Sequence, residues 1–352
     1  MLQAALYALQ NEKLVMGESV FKFEEEFARY CGTRYAVSTG SGTAALQIAL
    51  QSLQLESKDQ VLTSPFSFFA TSNAVIHAGS QPMFADVEDH GFNLDPVKVE
   101  AKLTQKTRAV IPVHLYGQPC RMDEFHDLAQ DKEISIVEDA CQAHGAEYDG
   151  RRTGSLGDVA CFSFYTSKNM TVCGDGGMIV TDNEAVADAA RSFRDCGRAS
   201  KYTMSRIGFT SRLNTVNAAI GRVQLKKLDG WNKARRQVAN LYRELLKDAP
   251  GIELPPEESP KELPVYHLFV VRSQRRDRLA TFLEENGVEA AIHYPVPIHL
   301  QEPYRALYKY SEGSFPISEK LAGQVLSLPI HPGITEGEIE TVSRLVREFA
   351  SD

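Results

Sequence analysis

The chain has 352 residues, 43% hydrophobic and 24% charged, a balance that fits a soluble globular protein with a core large enough to need no disulfide or metal staple. Its 38 Lys and Arg against 46 Asp and Glu leave a formal net charge of −8, which argues against nucleic acid or an anionic membrane as the main partner while leaving room for one positive pocket. No stretch approaches the roughly 20 apolar residues that span a bilayer, Met1–Gln10 lacks the basic and small-residue marks of a signal peptide, and the six scattered cysteines form no C-x-x-C pair, so a cytoplasmic protein with reduced thiols is expected.

At this length two domains are expected, and the elements suggest where they divide. Between about Tyr35 and Thr181, short apolar runs alternate with segments of helical spacing. The predicted strands are Tyr35–Ser38, Gln60–Ser64, Ala109–Val113, Ile134–Glu138, Val159–Phe164 and Met178–Thr181. Nearly continuous apolar strands separated by helices such as Ala44–Leu50 indicate a mostly parallel sheet covered on both faces. Ligands in such sheets bind beyond the carboxyl ends of the strands.

Three of those strand ends carry suggestive residues. After the first comes Ser38-Thr39-Gly40-Ser41-Gly42-Thr43 and then a helix start, where free N–H groups and the helix dipole would hold a phosphate. The same residues also make an ordinary cap and tight turn. After Ile134–Val137 come two acids, Glu138 and Asp139; a carboxylate there either faces a cationic ring nitrogen or caps the next segment. After Val159–Phe164 comes Tyr165-Thr166-Ser167-Lys168-Asn169, a lysine placed to reach the same sheet edge, unless it is a plain surface charge. A phosphate cradle, an acid and a lysine beyond three strands are the anchors that pyridoxal phosphate needs.

Past Thr181 the texture changes. Asn183–Cys196 is predicted as a helix capped by Asp182 or Thr181 and stopped at Gly197, and Thr215 to about Lys247 as a long amphipathic helix interrupted near Gly230. Pro255–Pro260 marks a turn or linker, His267–Val271 a strand, and Arg278–Asn286 a helix closed by Gly287. The expected architecture is α/β: a large domain, residues 1–235, with a helix-covered parallel sheet, and a smaller α+β domain, residues 236–352. His293 and His299, six apart among prolines, fit no usual metal spacing, and no metal is expected. The basic runs around Arg275 and Arg235 look like solvated helix faces, and Gly176-Gly177 like backbone geometry alone.

In combination and order, Ser41–Leu46, Glu138-Asp139-Ala140-Cys141-Gln142-Ala143-His144-Gly145, Phe162–Asn169 and His293-Tyr294-Pro295-Val296-Pro297-Ile298-His299 make the chain resemble the nucleotide-sugar aminotransferases of the DegT/StrS family, within the fold type I pyridoxal-phosphate enzymes. The resemblance runs from Gly17 to the C-terminus. It implies that Gly42, Thr43 and Ser163 bind the cofactor phosphate, Phe68 stacks on the ring, Asp139 pairs with the ring nitrogen, Gln142 approaches the ring hydroxyl and Lys168 carries the aldehyde as a Schiff base. Tyr294 and His299 would contact the substrate. Two departures stand out: Tyr165 where relatives have His, and Thr210, in Gly208-Phe209-Thr210-Ser211-Arg212, where relatives supply an Asn from the partner subunit. The chain also begins nearer to Gly17 than relatives do, which implies a shorter N-terminal arm. The function implied is amination of a keto-sugar carried on a nucleotide, with glutamate as donor, in a cytoplasmic homodimer with shared active sites. A keto-cyclitol substrate, or a non-catalytic sensor on the same fold, is the alternative.

Overall fold

The computed structural model describes residues 1–351. Seven strands form the main sheet: β1 (Tyr35–Thr39), β2 (Gln60–Thr63), β3 (Gln81–Phe84), β4 (Thr107–Ile111), β5 (Ser135–Asp139), β6 (Val159–Ser163) and β7 (Gly177–Thr181). Their order across the sheet is β1-β7-β6-β5-β4-β2-β3. All neighbours from β6 to β3 pair in parallel. Only β7 runs against both of its neighbours, β6 and β1. The mostly parallel sheet read from the sequence is therefore present.

Helices cover both faces, which is why the strands are apolar on both. In β6, Val159 and Cys161 pack with Ala45, Ile48, Val186 and Ala190 on one side. Ala160 and Phe162 pack with Phe23, Phe27, Ala218 and Leu228 on the other. The alternation follows the two-residue period of a strand. β3 was not foreseen, because Pro82 breaks its strand signal; at the edge of the sheet a missing N–H costs little.

Some boundaries also moved. The helix expected at Asn183–Cys196 is Glu184–Arg194, and its cap is Asn183, whose side chain accepts from Ala185 and Val186 N–H. The nearer carboxamide outcompetes Asp182 because it reaches the first free N–H groups. The long helix breaks at Lys226–Lys227, between Thr215–Leu225 and Leu228–Leu246, with Gly230 inside the second piece.

A separate core, from Val238 to Phe349, surrounds the antiparallel pair β8 (Phe269–Arg272) and β9 (Val325–Leu328). Where the two regions meet sits Arg235, only 7% exposed. Its Nη1 donates to the carbonyls of Tyr266, His267 and Ile330 at 3.0, 3.2 and 3.1 Å. Burial without a carboxylate partner among the described residues brings its pKa down to about 10. A second buried cation, Arg194, is paired with Glu24 and also donates to the Ser38 carbonyl at 2.8 Å. Glu24 in turn accepts from Ser38 N–H at 2.9 Å, which fixes the carboxyl end of β1.

Candidate active site

A cavity of about 360 Å³ opens beyond the carboxyl ends of β1, β2, β4, β5 and β6, where a parallel sheet presents its ligand site. Its walls bring together Gly42, Thr43, Phe68, Asp139, Gln142, Ser163, Lys168 and Tyr294, residues spread over some 250 positions of the sequence.

The helix Gly42–Ser52 starts at this cavity. Ser41 caps it by accepting from Ala44 N–H at 3.1 Å. The N–H groups of Gly42 and Thr43 belong to the first turn, which no helical carbonyl satisfies, so this wall attracts an anion. Gly42 is required by contact: a Cβ there would lie 2.6 Å from the Cβ of Ser163 and 3.0 Å from the Cys141 sulfur. Gly177 is required in the same way, since its Cβ would lie 2.3 Å from the Ser41 carbonyl oxygen.

The two acids after β5 take separate tasks, because successive strand residues face opposite sides. Glu138 turns away from the cavity and accepts from the N–H groups of Gly154, Leu156 and Gly157 at 2.8, 2.7 and 2.7 Å. His114 completes its set: Nδ1 accepts from Cys120 N–H at 3.0 Å, so the proton sits on Nε2 and is donated to Glu138 at 2.9 Å. Asp139 faces the cavity, 5% exposed. Its Oδ2 accepts from the Thr71 hydroxyl at 2.7 Å and its Oδ1 from Cys141 N–H at 3.2 Å. A buried carboxylate with these few donors has capacity left for a cationic partner.

Lys168 follows β6 at the end of a turn closed by its N–H on the Tyr165 carbonyl, 2.9 Å. Burial pushes its amine below the usual lysine value, with Cys141 and Asp139 opposing the shift. An amine so placed spends more time neutral and nucleophilic. Phe68 leaves 55% of its surface open and leans on Tyr294, ring centroids 5.9 Å apart. Gln142 accepts from Tyr116 N–H at 2.7 Å, which orients its amide so that Nε2 donates to the Tyr294 hydroxyl at 3.0 Å.

Two expected site residues lie elsewhere. His299 is fully buried outside the cavity, its Nε2 3.0 Å from Glu319 and its ring against Phe315. The substrate contact expected of His299 is not supported by this placement: its ring faces inward, to Glu319 and Phe315, and does not line the cavity. Thr210 is exposed, with its hydroxyl 3.2 Å from the Cys196 sulfur, and does not line the cavity of its own chain. The cavity also takes in residues that sequence reasoning gave no role: Thr71, Cys141, Asp175 and His267. Thr71 lay one helical turn beyond Phe68, and that spacing was the available signal; His267 was hidden in an apolar strand pattern.

The sequence matches the DegT/DnrJ/EryC1/StrS aminotransferase family over residues 1–347. It is 42% identical over 342 residues to a dTDP-3-amino-3,4,6-trideoxy-alpha-D-glucose transaminase of Streptomyces venezuelae, covering 97% of this chain and 90% of that protein. It is 38% identical over 342 residues to a pleiotropic regulatory protein of Geobacillus stearothermophilus, covering 97% and 92%. Among solved structures, S. venezuelae DesV in complex with a ketimine intermediate superposes with a TM-score of 0.97 at 42% identity, covering 99% and 94%. NtdA of Bacillus subtilis with bound cofactor PMP superposes with a TM-score of 0.92 at 32% identity, covering 100% of this chain and 81% of that one.

Proposed function

The chain belongs to the DegT/DnrJ/EryC1/StrS aminotransferase family, and from that premise we propose that it is a pyridoxal-phosphate enzyme that moves an amino group from an amino acid, glutamate by preference, to the ketone of a nucleotide-linked sugar. The observation that carries this reading is the convergence of Lys168, Asp139 and the first turn of the helix Gly42–Ser52 on one cavity. The residues fit the cofactor. The unsatisfied N–H groups of Gly42 and Thr43, with the Ser163 hydroxyl, suit its phosphate, and Asp139 suits a protonated ring nitrogen. Phe68 offers an open ring face, and Lys168 offers an amine that burial keeps partly neutral. When bound, the group supplies an electron sink for the bond changes at the amino-bearing carbon.

The protein's own part is to hold and to move protons. Asp139, oriented by Thr71, keeps a cation facing it charged. The Lys168 amine, once free, is the base and acid of the site. Gln142 donates to Tyr294, so the phenolic proton is left to point at a substrate oxygen. Sugar amination is supported by the relatives named as sugar-nucleotide transaminases. The regulatory name of the Geobacillus relative favours a sensor only where the lysine is dispensable, and here it is built into the cavity.

Part of this proposal is a boundary between a large and a small domain at 235/236, supported by the second core that runs from Val238 to Phe349. A homodimer that brings the partner's Thr210 to the phosphate is supported by the exposed apolar side chains Tyr202, Met204 and Ile207 beside it. No helix among the described residues is long and apolar enough to cross a membrane.

The decisive experiment is chemical. Protein purified with pyridoxal phosphate should be yellow, and borohydride followed by peptide mass spectrometry should place the cofactor on Lys168. Lys168→Ala should abolish transamination of sugar nucleotides carrying a 3-keto or 4-keto group. Fixation at another lysine, or turnover by the variant, overturns the assignment.

A further inference from the structure

Behind Lys168 runs a chain of buried amides that the cofactor reading does not use. Asn232, in the helix Leu228–Leu246, donates from Nδ2 to the His144 carbonyl at 2.7 Å, which leaves its Oδ1 as an acceptor. That oxygen takes a hydrogen bond from Asn169 Nδ2 at 3.1 Å, and the same nitrogen donates its other proton to the Val265 carbonyl at 3.0 Å. The atom that Asn169 presents to His267 is therefore its oxygen, 3.2 Å from Nδ1. A carbonyl oxygen only accepts, so the His267 proton sits on Nδ1 and its Nε2 carries a bare lone pair. Asn232, Asn169 and His267 are 1%, 6% and 7% exposed, so water does not compete with this order.

His267 lines the same cavity as Lys168, and Asn169 is the next residue after that lysine. Among the described residues Nε2 has no protein partner. Burial, reinforced by the nearby Lys168 charge, holds the imidazole well below its ordinary pKa, so it stays neutral. The other imidazole on the cavity, His293, is less defined: its Nδ1 lies 2.9 Å from the Ser327 hydroxyl, which donates or accepts equally well.

We propose that His267 is a positioning residue: its bare Nε2 lone pair, held by the tautomer that Asn232 and Asn169 impose, is the acceptor that the Lys168 amine takes up when it turns from the position it holds here to act as base and acid. The inference rests on Lys168 as the reactive amine, but its test needs no turnover.

Two measurements use the full chain stripped of cofactor. Nitrogen-15 NMR of the histidines, with the His267 signal identified by its loss in His267→Gln, should show Nδ1 protonated and Nε2 bare at pH 7. A proton on Nε2, or on both nitrogens, overturns the proposal. Competitive acetylation of Lys168 with acetic anhydride, followed across pH by peptide mass spectrometry, reports the amine directly. In His267→Leu the midpoint should fall by about one pH unit, the effect of removing an acceptor from a charged donor. His267→Gln, whose Oε1 still accepts, should stay close to the parent. A purely structural role would lower the melting temperature of both variants and leave the midpoint in place, and that result also overturns the proposal. If His267→Leu does not fold, the tautomer measured in the parent still decides. Failure of borohydride to fix cofactor at Lys168 would sink the functional reading without touching either measurement.

Discussion

Replacing Gly42 with alanine tests whether the start of the helix Gly42–Ser52 must touch β6. The added Cβ would stand 2.6 Å from the Ser163 Cβ and 3.0 Å from the Cys141 sulfur, against a comfortable carbon–carbon contact of about 3.5–4.0 Å. Ser163 ends a strand buried at every position, so it has no room to retreat. The helix start must move instead, and overpacking of this kind costs about 1–3 kcal/mol. For a chain of 352 residues that lowers the melting temperature by roughly 1–4 °C. The same displacement pulls the Gly42 and Thr43 N–H groups off the anion, so a similar loss in binding would weaken pyridoxal phosphate by about 5- to 150-fold. The assay is an absorbance titration of the stripped protein with pyridoxal phosphate beside a thermal melt. Gly323→Ala is the control: it lies in the helix Pro316–Gln324 with nothing within 4 Å of the added carbon, so it should melt at or above the parent temperature. If Gly42→Ala melts and binds like the parent, the close approach has been misread.

Thr71→Val removes the hydroxyl that donates to Asp139 at 2.7 Å. It should weaken cofactor binding by about 1.5–3 kcal/mol, with Thr71→Ser close to the parent in the same titration; equal binding by the valine variant would deny Thr71 its orienting role. Glu24→Gln breaks the buried pair with Arg194 and should cost about 3–5 kcal/mol in urea unfolding, because it leaves a cation without its countercharge; a loss under 1 kcal/mol would contradict this. Burial lowers the His144 pKa to about 3 from its ordinary 6.5. The folded chain thus leaves this ring unprotonated while the unfolded chain protonates it, so stability present above pH 6.5 is lost as pH falls toward 3. His144→Phe should flatten that acid-side slope by up to about 1.4 kcal/mol per pH unit between pH 6 and 5. An unchanged slope in urea melts would show that the ring is protonated in the fold.

The sheet was legible because its central strands are buried on both faces and read as continuous apolar runs. β3 was not, because its edge position tolerates a proline that sequence rules penalise. Lys168, Asp139 and the glycine loop were legible because each sits where a strand ends, and their roles came into focus through resemblance. Glu138 and Asp139 were indistinguishable in sequence; only the pleat, which turns one toward His114 and the other toward the cavity, separates them. His299 misled because a histidine among prolines looks like a loop residue, whereas its partner Glu319 and the ring of Phe315 come from a later segment. Thr71 and His267 stayed hidden because their function depends on partners 68 and 98 positions away.

The three carbonyls gathered by Arg235 turn the meeting of the two cores into a welded corner. Inside the closed interface the guanidinium, with no carboxylate beside it, is held by Tyr266, His267 and Ile330 in place of water. Swinging one half away from the other would exchange those carbonyls for water, a loss of about 1.5–3 kcal/mol for each hydrogen bond to a charged donor. Clamshell motion is thereby discouraged, and entry of substrate falls to the rim. There Phe68 and Tyr165, 55% and 52% exposed, are the least confined aromatic side chains of a cavity walled mostly by buried and half-buried residues.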